Sequence, residues 1–160
     1  MKKIAITTFI LLTLLGCGKE IDISQKQIRN GVVYTVNEAE PFTGKVTGKF
    51  ENGKVKVLEN FKDGKFDGEQ ICYYDNGQIK EKITYKNGIA VGTYNAYHKN
   101  GEVAYTGNFL EGKKDGDWNR YTEDKKLILT EKYKNGKLEG VEQFLVDTEK
   151  LKGKINSLFN

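Results

Sequence analysis

Glycine recurs in this chain on a ruler of 24 residues. Gly44, Gly68, Gly92, Gly116 and Gly140 keep that interval without a slip, and Gly64, Gly88, Gly112 and Gly136 form a second column twenty positions further on. A third column, Gly53, Gly77 and Gly101, lies nine positions after the first and is broken by Lys125. Self-similarity at a fixed period of this length marks an architecture whose units bury their apolar faces only against one another. The second and third columns fall in turn signals: Asn52-Gly53, Asn76-Gly77 and Asn100-Gly101, then Asp63-Gly64, Asn87-Gly88, Glu111-Gly112 and Asn135-Gly136. Asn-Gly and Asp-Gly supply the positive φ that a type I′ hairpin turn needs at both central residues. Between the turns run segments rich in Tyr, Phe, Val and Ile, of ordinary strand length. The fold class that follows is all-β: an antiparallel meander of 24-residue hairpin repeats, with a looser or longer turn expected at Asp124-Lys125.

Two-residue turns fix register, and register fixes which side chains share a face. With Gly44 as position 0, the first turn pairs position 6 with 11, 4 with 13 and 0 with 17, and the second pairs 17 with 22. Position 17 is Phe61, Tyr85, Phe109 and Tyr133, always aromatic and always opposite the position-0 glycine. A ring over a glycine covers its backbone, which predicts these glycines and rings as the structural columns of the repeat. The same register gathers Val55, Ile79, Val103 and Leu127 with Phe50, Tyr74, Tyr94, Trp118 and Phe66 on a buried face. The opposite face carries Lys49, Tyr73, Tyr97 and Tyr121, flanked by Lys56, Lys80, Lys82, Asn95 and Asn119. Equivalent strands lie two apart, so the three tyrosines form a row with steps of about 10 Å. Tyr73, Tyr97 and Tyr121 are therefore the candidate partner-binding residues, because tyrosine is favoured at interfaces. The alternative is that they only cover a half-solvated sheet, since aromatics suit strands anyway.

The first 17 residues, MKKIAITTFILLTLLGC, set the address. Lys2 and Lys3 precede an apolar run from Ile4 to Leu15, too short to span about 30 Å of hydrocarbon as a helix but suited to a signal-peptide core. The ending Leu14-Leu15-Gly16-Cys17 resembles the lipobox at which a bacterial peptidase cuts before a diacylated cysteine. The resemblance implies lipidation at Cys17 and anchoring in the cell envelope, on the outer membrane where there are two. The chain then divides into a lipoprotein signal peptide (1–16), a tether with lead-in strands (17–41), the repeat domain (42–146) and a capping tail (147–160). In that tail, Leu151, Ile155, Leu158 and Phe159 predict a short amphipathic helix, capped by Asp147 or Thr148, that lies over the last strand.

Charge and composition narrow the function. Lys and Arg number 26 against 22 Asp and Glu, and a chain beginning at Cys17 loses Lys2 and Lys3. That near-balance argues against a nucleic-acid partner, which needs a basic face for its phosphates. One His and two Cys leave few parts for a metal site. Cys72 and His98 are expected on one face of adjacent repeats about 10 Å apart, too far for the His to activate the thiol. No catalytic residue, cofactor, metal or small-molecule substrate is called for, and the reading is non-enzymatic.

The unit Asp67-Gly68-Glu69-Gln70-Ile71-Cys72-Tyr73-Tyr74-Asp75-Asn76-Gly77, closed by Tyr85-Lys86-Asn87-Gly88, resembles the MORN repeat in its bacterial variant, with a G-x-x-x-x-Y-Y-x-N-G core and a Y-x-N-G closing hairpin. With the lead-in Arg29-Asn30-Gly31-Val32-Val33-Tyr34 and Pro41-Phe42-Thr43-Gly44, the chain resembles the antitoxin or immunity family built from these repeats. The resemblance implies binding of a protein partner, a toxin among the candidates, with membrane attachment through the lipid and no catalytic residues. The competing expectation is a structural or membrane-surface scaffold lipoprotein without a single tight partner.

Overall fold

The computed structural model describes residues 18–144; Cys17 and the expected C-terminal helix lie outside them. Thirteen strands follow one another: β1 (Lys19–Asp22), β2 (Lys26–Arg29), β3 (Val32–Thr35), β4 (Gly44–Lys49), β5 (Val55–Lys62), β6 (Lys65–Phe66), β7 (Gly68–Tyr73), β8 (Ile79–Lys86), β9 (Ile89–Tyr97), β10 (Val103–Leu110), β11 (Lys113–Tyr121), β12 (Leu127–Lys134) and β13 (Lys137–Gln143). Eleven form one sheet in the order β1-β4-β5-β7-β8-β9-β10-β11-β12-β13, with β6 pairing β5, and β2-β3 make a separate hairpin. From β4 onward every pairing is antiparallel and follows chain order, with β5 pairing both the two-residue β6 and β7, as hairpin repeats require. The lead-in departs from the simple meander, because β1 adds to the edge of β4 in parallel.

The pairings put each position-0 glycine opposite an aromatic: Gly44 with Phe61, Gly68 with Tyr85, Gly92 with Phe109 and Gly116 with Tyr133. The glycines are not reserved for the rings, however. A side chain at Gly92 or Gly116 would meet open space, yet both sit at φ +71°. Each opens an irregularity against the preceding strand, where register slips between Lys82 and Thr84 and again between Thr106 and Asn108. Positive φ at a bulge is the reason for glycine there. Gly140, the last of the column, pairs Lys132 without a positive φ.

The two turns of each repeat are of different kinds. Asp63-Gly64, Asn87-Gly88, Glu111-Gly112 and Asn135-Gly136 have positive φ at both residues, the type I′ pattern. At Asn52-Gly53, Asn76-Gly77 and Asn100-Gly101 only the glycine is positive. Gly53 N–H donates to the Phe50 carbonyl and Phe50 N–H to that of Lys54, closing a type I turn followed by a left-handed residue in a bulge. The Asp124-Lys125 turn has the same closure, with Lys125 held at φ +65° in the glycine's place, so it is neither looser nor longer.

This turn carries one residue more than the I′ reading allows, and the extra residue shifts the register by one. Lys49 pairs Val55, Tyr73 pairs Ile79, Tyr97 pairs Val103 and Tyr121 pairs Leu127. The four aliphatics therefore lie beside the tyrosines and not on the buried face. The residues that follow them, Lys56 and Lys80, turn the other way, placing their Nζ atoms 5.8 and 5.9 Å from the Phe50 and Tyr74 ring centres.

The inner face is covered at its first repeat. A capping box on Asp22 starts a single 3-10 turn at Ile23–Gln25, which carries the chain from β1 into the β2-β3 hairpin. Ile21, Val33, Phe42, Val46 and Phe61 form the buried cluster, with Phe66 against it. Each such chain contributes about 1.5–3 kcal/mol on burial. Lys26 of β2 reaches over Phe61 and pairs with buried Glu59 at 2.5 Å.

Candidate functional site

Both margins of the sheet are stitched repeat to repeat. At one margin, Asn52, Asn76 and Asn100 accept from the N–H two residues on, at 3.0 Å each, and donate to the carbonyls of Asp75, Lys99 and Glu123 in the next repeat. The next layer in is similar: Tyr74 donates its hydroxyl to the Tyr97 carbonyl at 2.6 Å, and His98 Nε2 lies 2.9 Å from that of Tyr121. A carbonyl only accepts, so Nε2 carries the proton in that contact. At the other margin, Gly64, Gly88, Gly112 and Gly136 donate to Phe42, Phe66, Ala90 and Lys114 of the preceding unit. The repeat-defining glycines and asparagines are thus consumed in holding the array.

His98 and Cys72 each have a structural environment. The imidazole is spent on the Tyr121 carbonyl. Burial and the neighbouring Glu81 and Glu59 push the Cys72 thiol up, away from the thiolate. Among the described residues no three His, Cys, Asp or Glu side chains converge as a metal site would require.

The tyrosines of the two faces are employed differently. On the inner face, burial and the Glu81 carboxylate push the Tyr94 phenol up to about 12. Burial and a hydrogen bond from Tyr105 to Glu131 raise the Tyr105 phenol as well, and Lys114 Nζ donates to its hydroxyl at 2.8 Å. Trp118, 1% exposed, stacks on Tyr94 and lies edge-on to Phe109 and Tyr133. A side chain at Gly107 would come within 2.1 Å of the indole, so this is where a ring covers a glycine. The two are not paired in the simple hairpin register, because the bulge at Gly116 shifts it; the sequence reading missed the pair for that reason. Lys114 completes the cluster, 4.3, 4.7 and 5.0 Å from the centres of Trp118, Tyr133 and Tyr105.

On the outer face Tyr73, Tyr97 and Tyr121 stand on β7, β9 and β11, each half-buried beside its aliphatic cross-strand partner. Six side chains so arranged make a belt across three repeats, which Lys49 with Val55 begins in the first. Among the described residues none of the three phenols makes a hydrogen bond, in contrast to Tyr74, Tyr94 and Tyr105. Lys82, beside Tyr73 and Tyr97, is tied to Glu69 at 2.6 Å, and that bond raises its ammonium. The turn-induced shift makes the belt more apolar than the sequence reading allowed.

Comparison with known proteins adds one finding. The model of the MORN repeat variant matches residues 42–63 and 66–87, the two units from β4 to β8. No curated protein and no solved structure matches the chain. The third and fourth repeats lie outside that match, although their turns close with the same hydrogen bonds. The chain therefore contains two adjacent repeats of the MORN variant, continued by two further units of the same register.

Proposed function

We propose that this chain is a non-enzymatic, envelope-anchored repeat protein that docks a protein partner on the belt of Tyr73, Tyr97 and Tyr121. The observation that carries this reading is the division of labour among the tyrosines. Tyr74, Tyr94 and Tyr105 of the inner face give their hydroxyls to the fold, whereas Tyr73, Tyr97 and Tyr121 of the outer belt keep theirs and stand beside Ile79, Val103 and Leu127. Half-buried rings with uncommitted phenols beside aliphatic neighbours match the aromatic enrichment of protein interfaces. Anchoring rests on the basic start, apolar run and Leu14-Leu15-Gly16-Cys17 ending, which favour a bacterial lipoprotein with the lipid on Cys17. Within that address an antitoxin or immunity role is coherent only for a toxin that acts in or enters through the envelope, because a cytosolic target gives no reason for export.

Capture from membranes tests the reading. Wild-type protein retains a partner, and Tyr73→Ala with Tyr97→Ala releases it while the circular dichroism is unchanged. Equal capture by the double variant removes the belt from the account. A wild-type protein that retains nothing specific favours the scaffold reading. For the address, Cys17→Ala leaves the chain without incorporated fatty acid and outside the membrane fraction; an unchanged fraction contradicts lipid anchoring.

A further inference from the structure

The inner face is covered at the first repeat by the β2-β3 hairpin, and at the third and fourth the Trp118 cluster fills it beside another groove lined by Tyr94, Tyr105 and Arg120. Between them lies an open groove of about 540 Å³, floored by Val57 and Cys72 and walled by the rings of Phe50 and Tyr74. Lys56 and Lys80 stand over those rings at 5.8 and 5.9 Å, and Lys99 Nζ also lies 5.8 Å from the Tyr74 ring centre. The one carboxylate lining the groove, Asp75, is engaged by Lys99 at 3.2 Å. Lys56 and Lys80 have no carboxylate partner among the described residues. The bulge after each Asn-Gly turn delivers them, and the same place in the next two repeats holds Ala104 and Ile128, so a lysine at this place is confined to the first two repeats.

From this geometry we infer a second binding site, on the face opposite the tyrosine belt although Tyr73 also lines its edge, for an acidic polyproline-II segment with carboxylates three residues apart. Lys56 and Lys80 occupy equivalent places on β5 and β8, two strands apart, which sets their stems about 10 Å from one another. A polyproline-II chain returns to the same face every third residue after about 9 Å, whereas a β-strand does so after about 7 or 13 Å. Rings between the lysines suit the apolar residues of such a segment, because extended Pro-rich chains bind in aromatic-lined grooves. The two unpaired ammonium groups supply the charge complementarity that fixes register.

The test uses the full chain in detergent and a fluorescein-labelled peptide of four Glu-Pro-Pro units. The account expects saturable binding that weakens as salt is raised. It also expects a loss of up to about tenfold on Lys56→Gln with Lys80→Gln, the scale of two exposed charge pairs. Lys62→Gln with Lys86→Gln, which removes the same charge at the opposite margin, leaves binding unchanged. Equal loss in both pairs reduces the effect to net charge and overturns the site. Equal binding of the Gln-Pro-Pro peptide removes the carboxylates and overturns it too. Binding of anionic vesicles through Lys56 and Lys80 without binding of the peptide overturns it in favour of a membrane surface.

Discussion

Glu59 in the first repeat and Glu131 in the fourth occupy the same place in the 24-residue unit, and each is answered by a lysine in a different way. Lys26 reaches Glu59 directly from a separate hairpin, at 2.5 Å, with both side chains largely buried. Lys114 belongs to the sheet itself and approaches Glu131 only through the Tyr105 hydroxyl, its charge held by three rings. The first end buys its core from added chain, and the second makes one from the repeat's own aromatics. One backbone register accommodates both, because glycine and asparagine in the turns hold it and the face residues do not.

The comparison can be broken in order of expected effect. Trp118→Ala empties the aromatic end and costs about 3–5 kcal/mol. Because neighbours stabilise neighbours, amide exchange should rise in β10 to β13 while β4 and β5 stay protected. Uniform loss of protection would show the two ends to be a single cooperative unit. Next, Lys26→Met strands Glu59 without its partner and costs about 3 kcal/mol. Lys114→Met loses cation–ring attraction and the bond to the Tyr105 hydroxyl, which keeps its own bond to Glu131, and costs about 1–2 kcal/mol. Urea unfolding of the two variants separates them, and equal costs would mean that Glu131 depends on Lys114 as Glu59 does on Lys26.

Alkali acts most on the aromatic end, although burial also raises the Tyr85 phenol and the Cys72 thiol of the second repeat. The Tyr94 phenol is raised to about 12 from an ordinary 10, and that of Tyr105 is raised as well. Folding therefore favours the protonated phenols, and their contribution is complete below pH 10 and lost as pH rises through the folded values. Unfolding followed by Trp118 fluorescence should soften from pH 10 upward, less so in Tyr105→Phe; an identical profile in that variant refutes the assignment. The smallest effect is at the fourth turn. Lys125→Gly relieves a left-handed lysine and raises stability by about 1 kcal/mol in thermal unfolding. A fall would show that the exposed contact of Lys125 with Glu102, at 3.1 Å, outweighs the backbone.

Much of the fold is legible in the residues themselves. The glycine columns give the hairpin order, and the bulge beside each Asn-Gly turn restores the expected register further along the strands, so Phe61, Tyr85, Phe109 and Tyr133 still lie opposite glycine. The Asn-Gly turns mislead because the dipeptide fits two turn types. The choice is made by the asparagine side chain, which bonds its own loop and the next repeat's carbonyl. That single residue of difference moved Val55, Ile79, Val103 and Leu127 to the tyrosine face and Lys56 and Lys80 to the inner one. The parallel docking of β1 and the Trp118–Gly107 contact depend on long-range packing and have no local signal. Tyr73, Tyr97 and Tyr121 were identifiable as a row, but not their freedom from the fold.

That freedom is the central claim, and Lys49 shows how to test it, since a lysine already fills the tyrosine's place beside Val55. The direct measurement is the unfolding free energy of Tyr73→Lys with Tyr97→Lys against Tyr94→Lys with Tyr105→Lys. The belt variant should stay within about 1 kcal/mol of wild type, and the inner-face variant should lose several. A belt variant as destabilised as the inner one would contradict the account, because those rings would then be holding the sheet together.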